Sequence, residues 1–186
     1  TLFRSRLGTN GTLTAGYGQG VYAKANAGAT ANYRDKKINL FGNYNYSYRI
    51  NMNHLFLDRN FYTNSLYNGG DLKDNFARTP AGFHTVRVGA DYFPDKKNII
   101  GFVVTRNSGS FNTTINNNSV VIDAAHQQAS TFQTRAYNTN DNGNTVANIN
   151  YKHSFNTTGK ELTIDADYGE YSSSALTSNA TKYYNL

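Results

Sequence analysis

The sequence predicts an all-β protein, an antiparallel meander of long strands that forms a partial transmembrane β-barrel. Successive segments alternate apolar and polar residues with a period of two, and no helical pattern competes with them. The clearest segments reach the length, about 9–11 residues, that a tilted strand needs to cross a bilayer. Aromatic residues also lie close to short lysine-bearing turns, which is where the girdle of a membrane barrel lies.

The first three predicted strands carry the alternation most clearly. Leu13, Ala15 and Tyr17 alternate with Thr and Gly, and we expect a tight turn at 18–20. In VYAKANAGATANY, residues 21–33, every odd position is Val, Ala or Tyr, and the even positions are mostly polar. After the turn RDKK, the alternation continues over residues 38–50.

The middle of the chain is less regular. Residues 54–82 lose the pattern and are predicted to form a long loop. Alternation returns at 84–92, followed by the turn PDKK and a strand at 100–104. Residues 107–143 are rich in Asn, Ser, Thr and Gly, and we expect a second long excursion there. Within it, FQTRAY (132–137) is predicted to belong to an external hairpin or to a strand extension beyond the membrane.

The last part of the chain predicts another hairpin. Its strands cover residues 147–155 and 162–169, and TTGK, residues 157–160, joins them. The count is therefore seven strands and the start of an eighth, in a barrel of larger size.

The alternation assigns a face to each side chain. Tyr33, Tyr92 and Phe155 are expected in a girdle beside the three Lys-bearing turns. These turns fall on one side only if 107–143 is a single excursion or holds an even number of extra strands. Short turns of outer-membrane barrels are periplasmic. The polar side chains expected to face the lumen are Lys24, Asn26, Asn39, Asn43, Asn45, Arg49, Arg87, Asp91, Asp165 and Asp167.

Composition excludes several classes of protein. There is no Cys, so disulfides and thiolate chemistry are excluded. The net charge is +6, but Lys and Arg are scattered, and we expect no nucleic-acid partner. No apolar run is long enough for a membrane-spanning helix. No signal peptide is visible; instead, TLFRS resembles a translated sequencing adapter, so we treat residues 1–5 as an artefact and 6–186 as the domain.

The sequence contains no catalytic signature. GYGQG lacks dinucleotide-binding spacing and precedes no helix, and the four His residues have no metal-ligand spacing. Asp165 and Asp167 share one strand face, but they are interpreted as two lumen charges rather than as a catalytic pair. We therefore expect neither an enzyme nor a cofactor or metal site.

Two segments carry a family resemblance. GTLTAGYGQGVYAKANAGATANYRDKKINLFGNYNYSYR resembles the start of the barrel in TonB-dependent outer-membrane receptors of the Bacteroidetes type, and NINYKHSFNTTGKELTIDADYGEYS resembles a later hairpin. The resemblance covers residues 8–186 and implies a barrel of about 22 strands. It also implies an N-terminal plug and a TonB box, which these residues lack, and the chain ends in mid-pattern without a closing aromatic strand. It therefore implies an N-terminal barrel fragment, truncated at its C-terminus.

What the resemblance implies is active uptake of a nutrient across the bacterial outer membrane, with outer-membrane lipid, the plug, the remaining strands and TonB as partners. The ligand could be a siderophore, a glycan or a peptide. Its contacts are expected in the 54–82 segment, although the same aromatic residues also suit a small core within a loop. Alternatives are a small outer-membrane barrel or adhesin without transport, and a soluble β-sandwich binding module. The candidate ligand residues are Phe56, Asp58, Arg59, Phe61, Tyr62 and Tyr67.

Overall fold

The computed structural model describes residues 7–156 and 158–185, and this part of the chain is all-β, as predicted. The suspected adapter residues 1–5 and Thr157 of the last turn lie outside the described residues. The strands are β1 (Gly8–Gln19), β2 (Ala23–Arg34), β3 (Ile38–Thr63), β4 (Leu66–Tyr92), β5 (Asn98–Ile122), β6 (Gln128–Ser154) and β7 (Glu161–Asn185).

The seven strands form one antiparallel sheet in sequence order, with β1 and β7 as its terminal strands. The register of β1 and β2 explains the alternation, because like residues lie opposite each other. Leu13 pairs with Ala29, and Tyr17 pairs with Ala25. On the other face, Thr12 pairs with Thr30. The predicted meander of seven strands is therefore confirmed, but the expected start of an eighth strand was wrong, because β7 continues to Asn185.

The prediction for the first turn was wrong by two residues. The chain turns at residues 20–22, because β1 continues to Gln19 and β2 begins only at Ala23. The Gly20 N–H donates to the Tyr22 carbonyl at 3.3 Å and closes this turn. Val21 and Tyr22 consequently belong to the turn, although their spacing continues the alternation of β2.

The predicted long loop at 54–82 was also wrong. These residues extend β3 and β4, which meet at Asn64 and Ser65. Both turn residues have positive φ, 49° and 63°. Two successive positive φ values define the type I′ turn, whose twist matches that of the flanking strands. A two-residue hairpin therefore replaces the loop.

The second excursion is a hairpin as well. β5 and β6 cover most of residues 107–143, and a short turn joins them at Asp123–Gln127. One carboxylate oxygen of Asp123 accepts the N–H groups of Ala125 and Gln127 at 2.8 and 2.9 Å. FQTRAY lies within β6. Because only one excursion separates the neighbouring turns, the condition for placing the three Lys-bearing turns on one side is met.

Contacts divide the described residues into two compact units. The first comprises residues up to Tyr48, Gly82–Gly109 and Asn142–Ser173. The second comprises Arg49–Ala81, Ser110–Asp141 and the residues from Ser174 onward. Among the described residues, the buried apolar side chains are Ala81 and Ala136, both in the second unit. The described part of the first unit therefore contains no buried apolar side chain of the kind that forms the core of a globular domain.

In the first unit, many large apolar side chains at the alternate positions are exposed. Leu13 is 84% exposed and Ile149 is 54% exposed. Every strand contributes such side chains: Leu13 and Tyr17 from β1, Tyr33 from β2, Leu40 and Tyr44 from β3, Val86 and Val88 from β4, Ile100 and Phe102 from β5, Ile149 from β6, and Leu162 and Ile164 from β7. We call this surface the apolar face.

The opposite, polar face carries hydrogen bonds between strands. Asn32 donates to Asn39 at 2.9 Å, and Asn39 donates to Asp91 at 2.9 Å, so a chain of side chains crosses β2, β3 and β4. Asn148 likewise donates to Asp167 on the next strand at 2.8 Å. These bonds fix neighbouring strands through groups that also favour contact with water.

The remaining residues predicted for the lumen occupy related positions. A methyl group placed at Gly28 would come within 2.6 Å of the Asn45 side-chain oxygen, so that side chain covers the glycine. Arg49 falls in the second unit. The others lie on the alternate polar positions of their strands: Lys24, Asn26, Asn43, Arg87 and Asp165.

The three Lys-bearing turns lie side by side in the first unit. The Phe93 N–H donates to the Lys37 carbonyl at 2.8 Å, and the Ser154 N–H donates to the Lys97 carbonyl at 2.8 Å. Tyr33, Tyr92 and Phe155 beside these turns are each 46% exposed. The predicted grouping of the short turns on one side is confirmed.

Side-chain acceptors organise two of these turns. The Asp95 carboxylate accepts the N–H groups of Lys97 and Asn98 at 2.7 and 2.9 Å. The Lys97 bond, followed by the Asn98 side chain, lowers the pKa of Asp95. Asn156 plays the same part in the last turn, where its oxygen accepts the Lys160 N–H at 3.0 Å. The sequence chemistry of Asp and Asn at turns explains why these positions were predictable.

Candidate ligand-binding surface on β3, β4 and β5

A groove of about 360 Å³ lies on one face of the second unit. Phe56 and Leu72 provide large exposed apolar surfaces, 70% and 40% exposed. The groove is lined by Phe56, Leu57, Asp58, Leu72, Lys73, Asp74, Asn118 and Val120. Its volume falls within the range of about 300–1,000 Å³ that is usual for small-molecule sites.

An aromatic cluster lies beside Phe56 on β3 and the neighbouring strand β4. His54 lies 4.6 Å from Phe56 and 5.6 Å from Phe76, measured between ring centroids. Its Nε2 also lies 2.6 Å from the Asp74 carboxylate. Antiparallel pairing of β3 with β4 brings these groups together, and His54 thereby fixes one wall of the groove.

A second aromatic cluster lies near the β3–β4 turn. The rings of Tyr67 and His126 stack at 4.0 Å with planes only 10° apart, which joins this hairpin to the β5–β6 turn. Tyr62 meets Tyr67 edge-on at 6.0 Å. Burial, and then the neighbouring charge of Asp58, raise the pKa of Tyr67, so its phenol stays neutral and can donate a hydrogen bond.

A charged cluster occupies the other face. Arg59 donates to both oxygens of Asp71, at 2.7 Å from Nε and 2.8 Å from its terminal nitrogen. Lys73 lies 3.6 Å from the same carboxylate. The Arg59 hydrogen bonds lower the pKa of Asp71, and they also raise the pKa of Arg59. Asp71 is only 7% exposed, so this carboxylate is a buried charge that is paired on two sides.

The six residues predicted for ligand contact are divided between these faces. Side chains alternate along a strand, so Phe56, Asp58 and Tyr62 share one face of β3, and Arg59 and Phe61 share the other. The Arg59 guanidinium lies 5.9 Å from the Phe61 ring centroid. Of the six, Phe56 and Asp58 line the groove, while Tyr62 and Tyr67 lie in the adjoining aromatic cluster.

Other residues of this surface were missed. Leu72, Asp74, Asn118 and Val120 line the groove, and His126 stacks on Tyr67. They come from β4, from β5 and from the turn after β5, so no spacing along the sequence links them to Phe56. Recognition of the turn at Asn64–Ser65 would have paired Asp71 and Asp74 with β3.

Metal-binding clusters and membrane-spanning helices were also sought in the described residues. Within residues 7–156 and 158–185, no set of three His, Asp or Glu side chains could hold a metal ion. No helix in the same ranges is long and apolar enough to cross a membrane.

Comparison with known proteins leaves the family open. No protein-family model matches the chain, and no curated protein matches it. The resemblance to TonB-dependent receptors consequently continues to rest on the two sequence segments quoted above.

Proposed function

We propose that this chain forms part of the wall of an outer-membrane β-barrel, in a TonB-dependent receptor that takes up a nutrient. The apolar face of the first unit is the observation that carries the membrane assignment. All seven strands contribute exposed apolar side chains to it. Soluble monomers rarely expose contiguous apolar patches of more than a few hundred Å², whereas lipid solvates such a surface without cost.

The shape of this face agrees with contact by lipid chains. A shallow depression of about 420 Å³ lies among apolar side chains of β1 to β4, including Leu13, Ala29, Tyr44 and Val88. The opposite face carries the Asn and Asp side chains that a water-filled interior requires. This division of the two faces is characteristic of a transmembrane barrel wall.

The long strands are longer than a membrane crossing requires, so part of each would lie in the hydrocarbon core and part in water. β3 to β7 have 25 to 27 residues each. A membrane-crossing strand needs only about 9–11 residues. More than half of each strand would therefore lie outside the hydrocarbon core, and the second unit, with its charged cluster, is the part suited to water. It would supply the ligand-binding surface.

The receptor assignment rests on the sequence resemblance and on the groove. In such a receptor, further strands of the same protein would pair with β1 and β7, the terminal strands of this sheet. A plug domain would close the barrel, and TonB would provide energy through that plug. This chain would supply wall strands and an external surface for the nutrient.

Cysteine scanning tests the membrane assignment, because the sequence contains no native Cys. Single Cys residues would replace Leu13, Leu40 and Ile164 on the apolar face, and Thr12, Asn39 and Asp165 on the polar face. The protein is reconstituted in lipid vesicles and labelled with an environment-sensitive fluorophore. Lipid-bound quenchers are expected to quench the first set more strongly; equal quenching of both sets would refute the membrane assignment.

Transport requires a separate test in the source organism. The gene is disrupted, and growth is measured on panels of siderophores, glycans and peptides as limiting nutrients. We expect loss of growth on one class, with the same loss when TonB is inactivated in cells that carry the intact gene. Membrane insertion without any TonB-dependent growth defect would favour an adhesin or another barrel without a transport role.

A further inference from the structure

We propose that the groove on β3, β4 and β5 binds an organic cation, in which an ammonium or guanidinium group is attached to an apolar body. This inference rests on the proposed function and specifies the ligand class of its external surface. It follows from the unequal distribution of charge around an apolar groove.

The apolar part of the site is contributed by three strands. Phe56 comes from β3, Leu72 from β4 and Val120 from β5, and together they form a surface for an aliphatic or aromatic group. Phe56 is held from one side by the His54 ring. An apolar ligand body gains free energy here in proportion to the apolar area removed from water.

The carboxylates of the groove favour a positive ligand. Asp58 accepts a weak hydrogen bond from the Asn60 amide at 3.4 Å. Among the described residues, no Lys or Arg lies within ion-pair distance of Asp58. Asp74 is bonded to His54 and is still 44% exposed at its side chain. Two carboxylates therefore border the apolar surface, and one of them lacks a cationic partner.

Lys73 is the cation among the described residues that line the groove, and its ammonium group contacts a carboxylate outside it. The ammonium group of Lys73 lies 3.6 Å from Asp71, in the charged cluster with Arg59. The ammonium group of Lys73 is thus directed toward a carboxylate that Arg59 also binds, whereas Asp58 has no cationic partner among the described residues. Asn118 adds an amide that can accept or donate.

The size of the groove limits the ligand. About 360 Å³ accommodates one side-chain-sized or drug-sized group rather than a folded partner. A short peptide could place one basic or amino-terminal residue in it, and a small amine could fill it alone. Both present the same chemistry to Phe56 and Asp58.

The test uses three probes with the same body and different charge: 3-phenylpropylammonium, 3-phenylpropanol and 3-phenylpropanoate. Binding to the full chain in lipid nanodiscs is measured by calorimetry at fixed ionic strength. We expect the cation to bind most tightly and the carboxylate least. Binding of the neutral or anionic probe as tightly as the cation would overturn the proposal.

Two variants separate charge from apolar contact. Asp58→Asn keeps the side-chain volume. It is expected to lower the affinity for the cation by about three- to tenfold and to leave the affinity for the alcohol unchanged, given the energy of an exposed charged contact. Phe56→Ala should lower the affinity for all three probes. Asp165→Asn, in the first unit, is the matched control and should change none. An unaltered cation affinity in Asp58→Asn would exclude this carboxylate as the recognition group.

Folding and membrane insertion are measured in the same samples. Lipid quenching of the Leu13→Cys label reports insertion independently of the groove. Loss of probe selectivity with normal quenching would refute the cation site alone. If the Leu13→Cys label is not quenched in the protein that has no groove substitution, the proposed membrane function is refuted, whatever the binding of the probes.

Discussion

Arg59 donates two hydrogen bonds to Asp71, one to each carboxylate oxygen. The two residues lie on neighbouring strands on either side of the Asn64–Ser65 turn. Asp71 is nearly buried, whereas the Arg59 side chain is 47% exposed. The pair therefore joins β3 to β4 through a bond whose acidic partner cannot readily be solvated if it is left unpaired.

Asp71→Asn should destabilise the second unit at neutral pH. The pKa of Asp71 is lowered in the folded protein, so its stabilisation is present above its ordinary value, 3.8, and is lost as the pH falls through the lowered pKa. We expect a lower Tm at pH 7 and a shallower loss of Tm between about pH 5 and 2. Asp165→Asn is the control. An acid profile identical to that of the unsubstituted protein would contradict this assignment.

Ser65→Gly should stabilise the β3–β4 hairpin. Ser65 has φ of 63°, a conformation that costs a non-glycine residue about 1–2 kcal/mol. Glycine removes that cost but loses about 0.5–1 kcal/mol through its greater freedom when unfolded. The net gain should be about 0.5–1 kcal/mol, measured by hydrogen exchange of β3 and β4 amides. Ser47→Gly, within β3, is the control and should destabilise the hairpin. Slower exchange in that variant would contradict the explanation that positive φ at Ser65 causes the gain.

The predictability of the sheet follows the clarity of its two faces. Strands of the first unit were predictable because Ala, Leu and Tyr alternate with Asn, Thr and Lys. Alternation fails in the distal part of β3, where Leu55, Phe56 and Leu57 are consecutive. In the distal part of β5, Asn and Thr occupy both faces, so the residue types do not distinguish a buried face from an exposed one. These segments were mistaken for loops because cross-strand pairing, rather than amphipathicity, makes them strands.

The candidate site shows the same limit. Phe56 and Asp58 could be nominated from the sequence because aromatic and charged residues are concentrated around them. The groove also needs Leu72 and Val120, which antiparallel pairing brings from β4 and β5. Asn64–Ser65 is a weaker turn signal than Asn-Gly, so the register that defines the site was not visible in the sequence.

Gly89→Ala should strain the polar face of β4. A methyl group there would overlap the ring of Phe41 and lie 2.9 Å from the Phe102 carbonyl oxygen. The ring can shift, but the backbone of β5 cannot do so without disturbing the ladder. We expect a loss of about 1–3 kcal/mol in the free energy of unfolding. Adding Phe41→Leu should recover part of it, and a double-mutant cycle without coupling would show that the two side chains do not interact.

Ala27→Arg should be far more costly than Thr30→Arg in the proposed membrane barrel. Ala27 pairs with Ala15 on the apolar face, whereas Thr30 pairs with Thr12 on the polar face. Arginine near the middle of a bilayer costs about 2–4 kcal/mol on a lipid-facing position. Gly28 is a poor control, since an added side chain would clash with Asn45 and Thr14. Chemical unfolding in lipid vesicles measures both variants, and equal losses would contradict the assignment of the faces.

The three Lys-bearing turns should report one compartment in intact cells. Lys37 and Lys97 accept backbone hydrogen bonds from the ends of β4 and β6, so the three turns are joined in the first unit. Single Cys residues at Lys36, Lys96 and Lys160 would be treated with a membrane-impermeant maleimide. We expect protection at all three until the outer membrane is permeabilised, as periplasmic turns require.

A Cys at Asn68, in the second unit near the β3–β4 turn, provides the external counterpart of these probes. It should be labelled in intact cells, because in the proposed receptor the groove and the aromatic cluster face the outside of the cell. Labelling of the turns with protection of Asn68 would invert the orientation and remove the groove from the external surface. Different accessibility among the three turns would contradict a membrane barrel wall, because turns joined by hydrogen bonds cannot lie on opposite sides of a bilayer.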